Sequence, residues 1–215
     1  MSDRFEALIV DFGGVLTSPL QDSMVAFAEE LDIELQDLVR VALAAYSGAD
    51  DDLVVGFETG RIPEEEFARS FAQRLTEATG RAVPHEGIVD RIFGALRPEE
   101  EMFDVVASAR RAGYKTGLLS NSWGLRGYPR DRFEQLFDGV VISGEVGMRK
   151  PDAEIYSFTT EKLGVEAQAC VFVDDHPGHL KAALDAGMTT VLHRTPAETI
   201  AELHTLLPRL GPSAK

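Results

Sequence analysis

The chain has 215 residues, 44% hydrophobic and 27% charged, enough apolar material for one large domain, or one domain with a sizeable insert, around a real core. Its net charge of −15 argues against nucleic acid or an anionic membrane surface as partner, while leaving room for an anionic small molecule in a locally positive or metal-bearing pocket. A single cysteine excludes an internal disulfide framework, and with no signal-like segment or long apolar run the expectation is a cytoplasmic protein without a membrane partner.

The first apolar run, "ALIVDF" at 7–12, is continuous rather than alternating, as expected of a strand buried on both faces of a parallel sheet. It ends in Asp11 and runs into "GGV". The next such run lies about a hundred residues on, far more than one crossover needs. Residues 18–94 carry helical patterns, "MVAFAEELDI" and "PEEEFARSFAQRLTEATG" among them, and no convincing strand. They are expected to form a small helical cap inserted after the first strand, leaving 1–17 and 95–215 as the α/β core. Within the insert, the acidic "GADDDLV" at 48–54 reads as a solvated turn in preference to a metal loop. Tyr46, Phe57, Glu58 and Arg61 would either line a pocket or pack the insert's own helices, so no specificity role is assigned to them.

Four further runs follow, "YKTGLLS" (114–120), "GVVIS" (139–143), "ACVFVDD" (169–175) and "TTVLH" (189–193). Helical stretches separate them. "RPEEEMFDVVASARRAG" places Pro98 as a first helical residue, glutamates in the first turn and Gly113 at the close. "KPDAEIYSFTTEKLG" and "PGHLKAALDAG" repeat the pattern of early proline and final glycine. The alternation predicts a doubly wound parallel sheet of the α/β class. Cys170, inside "ACVFV", reads as a small buried hydrophobe, and the terminal "GPSAK" as frayed.

Four of the five strands deliver polar residues at or just past their carboxyl ends, where open α/β sheets bind ligands. The first brings Asp11, the second Ser120 and Asn121, and the fourth Asp174 and Asp175, while Lys150 follows the third in "SGEVGMRKPD". Singly each has a plainer reading. Ser and Asn often cap helices, adjacent acids suit the helix start at Pro177, and a loop lysine beside Arg149 is normally solvated. Together and in order, "DFGGVLT", "LLSNS", "GMRKPD" and "VFVDD" resemble the four motifs of the haloacid dehalogenase-like (HAD) hydrolase superfamily along the whole chain, in its capped form.

The resemblance implies a Rossmann-like core and a Mg²⁺-dependent phosphatase acting on a small-molecule phosphate ester, as a monomer or homodimer. Asp11 would be the nucleophile that forms an aspartyl-phosphate. Lys150 would hold both nucleophile and phosphate, with Arg149 also within reach, and Ser120 and the Asn121 amide would bond the phosphoryl oxygens. The Mg²⁺ would be held by Asp11, the Gly13 carbonyl and Asp175, with Asp174 a ligand through water or an orienting residue.

Two positions depart from the usual pattern. Where most such phosphatases carry a second Asp as general acid and base, this chain has Gly13. The resulting "D-x-G-G-V" resembles a branch that includes sugar-phosphate phosphatase-like proteins and relatives of the amino-terminal domain of bifunctional epoxide hydrolases. His179 stands where that branch often has Asn; it and His176 are read as surface residues of a helix start rather than as replacements for the acid. Losing a positioned acid costs about 10²–10⁴ in rate for a poor leaving group, and less for a sugar 1-phosphate, an acyl phosphate or an aryl phosphate. A phosphomutase, which must deprotonate a second hydroxyl, is rejected. The alternatives are a 2-haloacid dehalogenase-type hydrolase, which needs no metal acids such as Asp174 and Asp175, and a weak or inactive binding protein, opposed by an intact Asp11, Lys150 and Asp175.

Overall fold

The computed structural model describes residues 4–47 and 53–211. Strands β1 (Ala7–Val10), β2 (Lys115–Ser120), β3 (Gly139–Ile142), β4 (Cys170–Asp174) and β5 (Thr189–Leu192) form one parallel sheet in the order β3-β2-β1-β4-β5. Each falls within an apolar run of the sequence. β1 is central, with Ile9 opposite Gly117 on one side and Phe172 on the other.

Five helices follow β1 among the described residues: α1 (Leu20–Leu31), α2 (Leu35–Ser47), α3 (Leu53–Glu58), α4 (Glu64–Thr79) and α5 (Ile88–Phe93). Among the described residues no strand interrupts them, as the sequence pattern predicts. The core helices are α6 (Glu100–Arg111), α7 (Arg130–Leu136), α8 (Ser143–Val146), α9 (Ala153–Leu163), α10 (Pro177–Asp185) and α11 (Pro196–Leu206).

Side-chain alternation along β1 shows why its apolar run is unbroken. Leu8 and Val10 join a buried cluster with Met102, Val106 and Leu203 from α6 and α11. Ala7 and Ile9 point the other way, into a cluster with Ile155, Tyr156 and Leu180 from α9 and α10. Both faces are covered, so neither can be polar. A third cluster, including Phe27, Leu38, Val54, Phe67 and Ile88, is built within α1–α5. Phe57 belongs to it, stacked on Phe67 with ring centroids 4.2 Å apart.

Three sequence expectations meet a different or no outcome. Pro98 is not the first helical residue, because it pairs in an isolated bridge with Thr17 and α6 begins only at Glu100. Residues 48–52 of "GADDDLV" lie outside the described residues, while Leu53 and Val54 open α3 and are buried. Of "GPSAK", residues 212–215 also lie outside them. Cys170 is buried as expected, and burial pushes its thiol up to about 12. Among the described residues no helix is long and apolar enough to cross a membrane.

Candidate active site

Strand order reverses on either side of β1, since β2 and β3 lie to one side and β4 and β5 to the other. Loops at the carboxyl ends of β1 and β4 diverge at such a switch point and leave a crevice. Asp11 follows β1 directly, and its amide donates to the Val173 carbonyl at 2.9 Å, which ties it to β4. Asp174 ends β4 and is wholly buried.

Lys150 arrives from the loop between α8 and α9 and has no exposed surface. Its Nζ lies 2.9 Å from Asp11 Oδ2 and 2.7 Å from Asp174 Oδ2. A buried ammonium is costly unless it is paired, and here two carboxylates hold it in its charged form against the pull of burial. The Asn121 side chain fixes the lysine's backbone from both sides, donating to the Lys150 carbonyl at 2.9 Å and accepting its amide at 2.8 Å. Ser120, buried at the end of β2, has its Oγ 3.0 Å from the Tyr128 hydroxyl.

The two carboxylates differ in electrostatics. Burial pushes Asp11 up to about 8, opposed by Lys150 and reinforced by the negative charges of Asp174 and Asp175. Burial also acts on Asp174, but Lys150 and the His179 ring outweigh it and hold the carboxyl well below its usual range. His179 Nδ1 is 3.1 Å from Asp174 Oδ1, which also accepts the His176 amide at 2.8 Å.

His179 is therefore half-buried and part of the charge network, not a surface residue. Its ring is turned inward because α10 begins beside β4, and the Tyr156 hydroxyl donates to its carbonyl at 2.8 Å. His176 does fit the surface reading. It is exposed and caps α10, with its Nδ1 accepting the Gly178 amide at 3.2 Å.

Two glycines shape the other wall. Gly14 has φ +71°, and a Cβ there would collide with the Asp175 carboxylate, which leans across it. Only glycine allows that approach. At Gly13 a Cβ would meet nothing within 4 Å, and its φ lies outside the left-handed region. The missing second acid is thus not a matter of space.

Asp11, Asp174 and His179 each offer one ligand atom, all within 4.8 Å of one another. Asp174 is committed, however, with Oδ2 on Lys150 and Oδ1 on His176 and His179. Asp11, the Gly13 backbone and Asp175 line the same cavity and supply hard oxygen donors. Of three neighbouring carboxylates, Asp11 and Asp174 share the one ammonium of Lys150, and burial with the Asp174 charge raises the carboxyl of the third, Asp175. An oxygen donor set with surplus negative charge suits Mg²⁺.

The cavity over this cluster has a volume of about 910 Å³ and reaches from Asp11 and Ser120 to Leu43, Phe93 and Leu96. Glu58 lines it, buried, with Oε2 2.7 Å from Arg149 Nε, and Arg149 lines the same cavity. Arg61 Nε donates to Thr59 at 3.2 Å, and Phe57 packs in the helical cluster. The Tyr46 side chain lies outside the described residues. Tyr128 and Trp123, which also line the cavity, have no counterpart among the sequence expectations, since the loop "WGLRGYP" has no periodicity to mark them.

Comparison with known proteins places this geometry. The chain is 29% identical over 211 residues to bifunctional epoxide hydrolase 2 of Sus scrofa, covering 92% of this chain and 38% of that protein. It is 27% identical over 222 residues to a sesquiterpene phosphatase of Aspergillus oryzae, covering 96% of this chain and 99% of that one. The fold matches that of a HAD family enzyme from Bacteroides thetaiotaomicron, in complex with magnesium and inorganic phosphate, with a TM-score of 0.60 at 22% identity over 88% of this chain and 94% of the other. The chain thus spans well under half of the epoxide hydrolase and nearly the whole of the other two. A family model for haloacid dehalogenase-like hydrolases matches residues 5–187, and the chain belongs to that family.

Proposed function

We propose that the chain is a Mg²⁺-dependent phosphatase that hydrolyses a small phosphate monoester through an aspartyl-phosphate on Asp11. The observation that carries this reading is Lys150, fully buried and wedged between Asp11 and Asp174 at 2.9 and 2.7 Å. An ammonium so placed orients the nucleophile and offers positive charge to an incoming phosphate. The phosphatase name of the Aspergillus relative and the magnesium and phosphate in the Bacteroides structure support the same chemistry.

In this reading an Asp11 oxygen attacks phosphorus, and the ester oxygen leaves opposite it. Ser120 Oγ and the Asn121 amide donate to the equatorial phosphoryl oxygens, while the Asn121 side chain keeps Lys150 in place. Asp174 orients Lys150 and His179. Asp11, the Gly13 carbonyl and Asp175 would hold the Mg²⁺, which would supply positive charge beside a phosphate dianion. Water then cleaves the aspartyl-phosphate. Residues 18–94 act as a cap over the core formed by 1–17 and 95–215, closing the cavity against bulk water.

The test is a panel of phosphate esters with Mg²⁺ and with EDTA, on wild type and Asp11→Asn, with chloride release from a 2-haloacid as control reaction. Phosphate release that needs both Mg²⁺ and Asp11 is expected. Turnover undiminished in Asp11→Asn would exclude the aspartyl-phosphate, equal rates in EDTA would exclude the metal, and chloride release without phosphate release would favour the dehalogenase.

A further inference from the structure

We infer that the substrate is an aryl phosphate, the monoester of a phenol that carries an apolar body; this deepens, and rests on, the phosphatase reading. Two independent observations meet here, one about the leaving group and one about what surrounds it.

The leaving oxygen has no carboxylic acid at position 13. Gly13 stands where a proton donor would be placed, although a side chain there would meet nothing within 4 Å. Of three further carboxylates on the cavity wall, Glu58 pairs with Arg149 at 2.7 Å, Glu64 pairs with Arg126 at 2.6 Å, and Asp90 is exposed on α5. His179 meets Asp174 through Nδ1 and His176 caps α10 through Nδ1, so at each ring only Nε2 is left to face the cavity. Burial makes the Tyr128 phenol a weaker acid than a free one. A site built this way serves an ester whose oxygen departs as a stable anion, and it handicaps simple alkyl esters.

The apolar part of the wall disfavours the polar members of that group. Leu20, Leu43, Phe93, Leu96, Phe103 and Trp123 line the 910 Å³ space. The hydroxyls of a sugar 1-phosphate would lose water against these side chains, and Glu58, Glu64, Arg126 and Arg149 on the same wall are already engaged in ion pairs. A flat apolar body fits, and the rings of Phe93 and Trp123, with centroids 5.5 Å apart, provide faces and edges for an aromatic one.

The step balances without an enzymic acid. The Asp11–phosphorus bond forms as the phosphorus–aryl oxygen bond breaks, the bonding pair leaves on the phenoxide, and solvent protonates it. Water attacks phosphorus of the aspartyl-phosphate, releasing the carboxylate and inorganic phosphate, with its proton passed to solvent.

The experiment measures kcat/KM of the whole chain with Mg²⁺ for phenyl, 1-naphthyl and hexyl phosphates, hexanoyl phosphate and glucose 1-phosphate. Aryl esters should exceed hexyl phosphate by at least ~100-fold. The naphthyl ester should exceed the phenyl ester about tenfold, from added apolar burial. Leu43→Gln, at a residue 61% exposed, and Leu96→Gln should bring the naphthyl-to-phenyl ratio of kcat/KM down toward one. Gly13→Asp should raise hexyl phosphate turnover and narrow the aryl-to-alkyl ratio. Glucose 1-phosphate, hexyl phosphate or hexanoyl phosphate matching the aryl esters would overturn the inference alone, as would equal rates for naphthyl and phenyl. Failure to hydrolyse any ester would overturn the phosphatase reading and the inference with it.

Discussion

At the scale of single residues, Lys150 concentrates both stability and chemistry. Its ammonium is the buried counter-charge for Asp11 and Asp174, so removing it leaves two carboxylates facing each other in a site that water barely enters. Lys150→Met should lower unfolding free energy by about 3–5 kcal/mol and remove activity, as read by urea denaturation and phosphate release. Lys150→Arg should not restore activity, because a planar guanidinium cannot occupy the space of a point charge between two carboxylates. A Lys150→Met protein of wild-type stability would contradict the pairing. Asp11, Lys150 and Asp174 were legible in the sequence because each stands at a strand end or helix start, where periodicity breaks off. His179 was not, because whether a residue one turn into α10 faces water or Asp174 depends on where the helix docks. Tyr128 was not either, since its loop becomes part of the site only through its contact with Ser120 and with Phe12, whose ring is 4.9 Å away.

At the scale of elements, one set of bonds between the helices that follow β1 and the rest of the chain centres on Glu58. Its carboxylate holds Arg149, and its carbonyl accepts from Ser143 Oγ at 2.6 Å and Ser122 Oγ at 3.3 Å. One end of α3 is thereby tied to the loop after β2 and to the start of α8. Glu58→Gln keeps the shape but loses the charge opposite Arg149, and should cost about 1–3 kcal/mol in thermal or urea unfolding. No loss of stability would show that the pair is solvent-screened rather than structural. Strands were readable to within a residue or two because burial on both faces makes each a continuous apolar run. Helix starts were less so. Pro98 carries a first-turn signal, yet a long-range bridge to Thr17 takes it out of α6. The five inserted helices showed their pattern, but not which faces meet, since those contacts join residues far apart in the chain.

At the scale of the whole molecule, a strand order of β3-β2-β1-β4-β5 gathers Asp11 and Asp174 at one crevice, and it is the alternation of strand and helix that made this arrangement readable. Stability should carry a signature of the same packing. His193 lies just past β5, its ring Nδ1 2.9 Å from Thr199 Oγ1, and burial lowers its pKa from 6.5. As pH falls through 6.5, the unfolded chain takes up the proton before the folded one, so this contribution to stability is present above 6.5 and lost below it. Between pH 7.5 and 5.5, wild type should lose urea stability more steeply than His193→Gln. Parallel slopes would mean that the imidazole titrates alike in both states.

The central claim is that Asp11 becomes covalently phosphorylated. The most direct measurement is acid quench of the Mg²⁺-loaded protein during turnover of phenyl phosphate, followed by peptide mass spectrometry and borohydride trapping. The account predicts one phosphoryl group on the peptide that contains Asp11, labile to hydroxylamine and missing in Asp11→Asn. Phosphate release without any such adduct, or an adduct on another residue, would contradict it.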